Sequence, residues 1–179
     1  MDRELHNLKR KVDRYNEVLA NTQAYRQVWV DSLSQKILDQ LNFIIGQVGL
    51  DGKVEVRAQL ENLEAIDLTL GTVRSGMSHR VNETFSRDLI KHNGVLVYQQ
   101  LFNGKVMVLI QYPYIEGYGE PRPPKTIAIY RPEELKDPYF IRHVEELMQE
   151  ITLWEDYDDD EPHQRIGFQL NFGQQEEEA

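Results

Sequence analysis

The chain has 179 residues, enough for one domain with an appendage and a sizeable core, and 40% of them are apolar, which argues against wholesale disorder. It contains no cysteine, so disulfides, thiolate nucleophiles and cysteine-based zinc sites are excluded, and a reducing, cytoplasmic setting is expected. The net charge of −10 sits largely in two short runs, one from Glu155 to Glu161 and one from Glu176 to Glu178; the rest is near balance, so no nucleic-acid binding is expected.

The opening residues, MDRELHNLKRKVDR, lack the apolar stretch of a secretory signal. From Arg3 to Gln47 apolar residues recur at helical spacing: Leu5, Leu8, Val12, Tyr15 and Leu19, then Trp29, Leu33, Ile37, Leu41, Ile44 and Val48. As one helix this region would be about 68 Å long. The rest of the chain predicts a body only about 36 Å across. Such a rod cannot be sheathed by its own domain. Two resolutions are open: Ser32 and Gln35 fit a capping box that would start a second helix and fold the region into a helical hairpin, or the 3-4 spacing from Leu5 to Leu19 continues into a short two-chain coiled coil.

After Gly46, Gly49 and Gly52, the alternation of Val54, Val56, Ala58 and Leu60, and then of Ile66, Leu68 and Leu70, predicts two strands with one wet face. The stretch 72–92 has little apolar periodicity before Phe85 and reads as a long loop ending in a short helix or as a partly ordered segment. Val95 to Tyr112 is the clearest feature: two apolar runs flank Asn103-Gly104, a pair suited to a two-residue type I′ turn. That turn sets Phe102 against Lys105, Leu101 against Val106 and Val97 against Ile110. The buried face would then carry Val95, Val97, Leu101, Val106, Val108, Ile110 and Tyr112.

A proline- and glycine-rich loop spans 113–125, followed by a short strand, Thr126 to Tyr130. Asp137 and Pro138 suit a helix start. Phe140, Val144, Leu147, Met148, Ile151 and Trp154 give that helix an apolar face fit to cover the hairpin. Beyond the acidic run, Ile166 to Phe172 alternates like an edge strand, and 173–179 reads as a disordered acidic tail. The expected fold is therefore α+β: a helical region over 1–48, and a domain over 53–172 with an antiparallel sheet of about five strands and a helix packed on it.

Chemistry is sparse. Arg74, His79, Arg80 and Arg87, with Ser78 nearby, are candidates for an anion-binding pocket, although adjacent Ser78 and His79 do not make a nucleophile–base pair. Asp156, Asp158, Asp159, Asp160 and His163 lack the spacing of an EF-hand, and read as a solvated run. His6 and His143 are read as polar or boundary helix positions with no second ligand one turn on, so no metal site and no cofactor is expected. Tyr114, Tyr118 and Arg122 are candidate partner contacts. The expected function is a non-enzymatic interaction or assembly protein that self-associates, as a dimer, through its first 48 residues. The alternative is a ligand-binding or enzyme domain with its pocket near 72–92.

Overall fold

The computed structural model describes residues 2–157. The expected edge strand over 166–172, the acidic residues from Asp158 on and the 173–179 tail lie outside the described residues. The protein is α+β, with two helices side by side on one face of a five-stranded antiparallel sheet.

The helical region is one continuous rod, not a helical hairpin. α1 (Asp2–Val28) passes through a π-helical turn (Trp29–Leu33) directly into α2 (Ser34–Val48). Ser32 does not cap a new helix; its hydroxyl donates to the Val28 carbonyl inside the rod. The π turn has a geometric reason. Trp29, Leu33, Ile37 and Leu41 are all buried and four residues apart, and in a regular α-helix each such step drifts by about 40° around the axis. A wider i→i+5 turn rotates less per residue and brings the stripe back towards the sheet. Gly49, at φ +66, ends the rod in the left-handed conformation that glycine adopts at little cost.

The sheet runs β1 (Lys53–Arg57), β2 (Ala65–Thr69), β5 (Val95–Gln100), β6 (Val106–Gln111), β8 (Lys125–Tyr130) in space, every pair antiparallel. The first strand is shorter than its alternation suggests: Ala58 and Leu60 fall outside it, and Leu60 is exposed. The stretch 72–92 is not a loop ending in a helix. It forms β3 (Thr72–Arg80) and β4 (Ser86–His92), paired with each other. β3 and β4 stay in step with the β2–β5 pairing, joined by the bonds Leu70 N–H to Gly94 O (3.1 Å) and Asn93 N–H to Gly71 O (3.0 Å). β7 (Tyr114–Ile115) likewise continues the β5–β6 register alongside β4. The three-stranded group is thus a bent extension of the central strands, an arm. Gly94 allows the bend: its φ is +99, and a Cβ there would meet Ile151 Cδ1 at 2.9 Å.

The central hairpin differs from its expected register by one residue. Gly104 N–H donates to Leu101 O and Leu101 N–H to Lys105 O, both at 2.8 Å. Only Gly104 takes a positive φ, +75, while Asn103 does not. This is a three-residue loop with a glycine bulge, not a type I′ turn. Leu96 therefore faces Ile110, Tyr98 faces Val108 and Gln100 faces Val106. On β6 the expected core residues hold. On β5 the whole set inverts, since a one-residue slip exchanges the faces of a strand. Leu96 and Tyr98 enter the main core, and Val97 is buried on the opposite side. The rod decides the matter: Gly104 lies against it, where a Cβ would come within 2.6 Å of Tyr25 Cβ and 3.0 Å of Thr22 O.

α3 (Asp137–Glu155) covers the hairpin's apolar face through Phe140, Val144, Leu147 and Ile151, but it shares the task with α2. α2 lies over β1 and β2, and α3 over β5. Lys136, not Asp137, is the N-cap of α3; Asp137 sits in the first turn and pairs with Lys36 of α2 at 2.6 Å.

Candidate functional site

An exposed apolar stripe runs along the rod. Along α1, Leu5, Leu8, Val12, Tyr15, Val18 and Leu19 are between 44 and 62% exposed, and every residue from Arg3 to Ala20 for which burial is defined is exposed. The spacing of Leu5, Leu8, Val12, Tyr15 and Leu19 alternates three and four, the spacing that keeps one seam along a helix facing a partner helix. That seam is continuous with the buried one. Thr22 and Arg26 carry it to the hairpin tip, where the Arg26 guanidinium donates to Phe102 O at 2.5 Å, and Trp29, Leu33, Ile37, Leu41 and Ile44 carry it into the core. Among the described residues, nothing buries the stripe before Asn21. The free part is about 28 Å long.

Where the rod meets the sheet lies a polar seat. Gln100 is 1% exposed and faces the core, yet neither amide atom has a hydrogen-bond partner. Glu64 is its cross-strand neighbour (Gln100 N–H to Glu64 O, 2.9 Å) and has one orphaned carboxylate oxygen. Arg26 Nε, on the rod beside the hairpin tip, is also unpartnered. The inverted register put Gln100 there, because the strand cannot bury Leu96 and Tyr98 without also turning Gln100 inwards. A buried amide without partners costs about 1–3 kcal/mol.

His143 is the one buried histidine among the described residues, 3% exposed, contrary to its expected polar or boundary position. Its Nδ1 lies 2.8 Å from the Tyr98 hydroxyl and its Nε2 3.0 Å from that of Tyr130. Burial lowers its pKa to about 4, against a smaller opposing effect of Glu146, so the ring is neutral at pH 7. Burial likewise holds the Tyr98 hydroxyl well above its usual range. Both ring nitrogens are occupied by these hydroxyls, and the cluster orders the core. The sequence carried a signal for it: His143 follows Phe140 by three and precedes Leu147 by four, which places it on the apolar face.

The arm separates the sequence-derived anion candidates. Arg74 and Arg80 lie on the same face as Asp88, and Arg74 pairs with Asp88 at 3.4 Å. His79 and Arg87 sit opposite each other on the other face. There they border a cleft of about 320 Å³ that Asp88, Leu89, Ile90, Glu116 and Gly117 also line. The carboxylate of Glu116 in its rim is bound to His92 Nε2 at 2.7 Å, so the cleft carries mixed charge.

The loop over 113–125 is tied down by its own residues. Tyr114 stacks on His92, with ring centroids 4.4 Å apart and planes 5° from parallel. Arg122 lies 4.0 Å above the Tyr112 ring. Tyr112 donates to Glu150 at 2.8 Å, and Lys125 bridges Glu150 at 2.6 Å and Glu146 at 2.9 Å. Hydrogen bonds to Glu150 and Glu146 raise the Lys125 pKa. Burial works against ionisation of Glu150, but its bonds from Lys125 and Tyr112 prevail and lower its pKa. Tyr118 is the most outward of the three partner-contact candidates.

Among the described residues no three histidine, aspartate or glutamate side chains are grouped to hold a metal ion, and no helix is long and apolar enough to cross a membrane. Comparison with family models, curated proteins and solved structures gives no match.

Proposed function

We propose that this is a non-enzymatic interaction or assembly protein that associates with a second copy of itself through the amino-terminal rod. One observation carries the reading: a single helical stripe is core from Trp29 to Ile44 and open from Leu5 to Leu19. Helices in proteins draw most of their stability from packing an apolar face, and this seam gains it only against a partner. The spacing of three and four suits a second helix of the same kind. The seam is short, so the pair belongs with weak, reversible interfaces that bury less than about 1,200 Å². Cytoplasmic residence accords with the lack of cysteine.

Light scattering on the full chain across a range of concentrations tests the proposal. A mass that rises towards twice 21.0 kDa with concentration is expected. A strict monomer throughout overturns it. A second reading, ligand binding at the arm, is favoured by the cleft beside His79 and Arg87. It predicts thermal stabilisation by small phosphates or carboxylates that is lost in Arg87→Ala.

A further inference from the structure

The free stripe does not end in open solvent; it ends at the protein's own hairpin. Gly104 presses on Thr22 and Tyr25, and Phe102 O accepts from Arg26, so from Thr22 onwards the seam side of the rod is filled. The rod cannot turn aside to make room, because it is helical without a break from Asp2 to Val48. A second helix lying along Leu5 to Leu19 therefore has space up to the tip and none beyond it.

Resting on the self-association reading, we infer that the two rods pair antiparallel. In a parallel pair each partner rod must continue past Thr22 towards its own sheet, through the volume that the Asn103–Gly104 tip of the first copy occupies. In an antiparallel pair the partner rod runs the other way, so that Leu5 of one copy lies beside Leu19 of the other and the partner's rod heads away from the tip towards its own sheet. The two folded bodies then sit at opposite ends of a shared helical pair, and each tip, with Phe102 73% exposed, abuts the first turn of the other copy. The assembly is closed by a two-fold axis across the middle of the seam, which limits it to two copies.

The absence of cysteine makes the test direct, since an introduced cysteine is the only site for a spin label. Arg3 and Ala20 are both exposed and both off the seam. In the full chain, labels at Arg3→Cys on both copies should lie at least about 20 Å apart along the axis, while Arg3→Cys mixed with Ala20→Cys should give a short distance. A short distance between two Arg3→Cys labels, with the mixed pair about 25 Å apart, overturns the antiparallel arrangement and leaves self-association standing. No dipolar coupling in any combination, with a monomeric mass by light scattering of the same samples, overturns both.

Discussion

The two ends of the rod carry the same pattern and meet opposite fates. From Trp29 to Ile44 the stripe is sealed against the sheet; from Leu5 to Leu19 it faces water. The difference is not in the side chains, which are similar in kind, but in where the sheet stops. The hairpin tip marks the boundary at Thr22, set by contact with Gly104. An apolar stripe thus says that a helix will pack, and the length of the surface beneath it says whether the packing is within one chain.

The sharpest way to break the comparison is to truncate one residue at each end. Leu41→Ala, wholly buried, should cost about 2–5 kcal/mol in chemical unfolding. Leu8→Ala should leave the unfolding of a dilute sample within about 0.5 kcal/mol and weaken association instead. An equal cost at both ends in dilute solution would mean that the free stripe is already packed.

The core beneath the seated end should also respond to acid. His143 titrates near 4 when folded and near its ordinary value of 6.5 when unfolded, so the unfolded chain binds the extra proton between these values. Its contribution is complete above pH 6.5 and is lost as pH falls to 4. The loss amounts to about 3 kcal/mol. In His143→Phe, unfolding measured across that window should be flatter, whereas an unchanged slope would assign the acid sensitivity elsewhere.

Gly104→Ala tests the boundary itself. The residue is left-handed and its added carbon meets Tyr25, so a loss of about 1–3 kcal/mol is expected in thermal or chemical unfolding. A neutral result would show that the tip does not fix the rod. The smallest effect concerns Gln100, whose orphaned amide should make Gln100→Leu or Gln100→Met neutral to stabilising by about 1 kcal/mol. A large destabilisation would reveal partners for that amide at the seat.

The rod, the five-stranded sheet and α3 were legible because their apolar periodicities are set locally. The β5 register was not. Asn-Gly accommodates both a two-residue and a three-residue loop, and the choice is made by Tyr25, remote in sequence. The arm was hidden because Thr72 to Arg80 has only Val73 and Met77 as apolar side chains and draws its order from continuity with β2 and β5. Arg74, His79, Arg80 and Arg87 were grouped by proximity in the chain, whereas strand alternation divides them between two faces. Tyr114 and Arg122, candidate partner contacts, each also have an aromatic partner within the protein, which the sequence does not show.

The central claim is that one stripe serves as core at one end and as contact surface at the other. Amide hydrogen exchange along the rod, read as a function of protein concentration, addresses it most directly. Residues 34–48 should be protected at every concentration, and 3–20 should exchange quickly when dilute and gain protection as concentration rises. Fast exchange over 3–20 at every concentration, or protection there that persists in dilute solution, would contradict it.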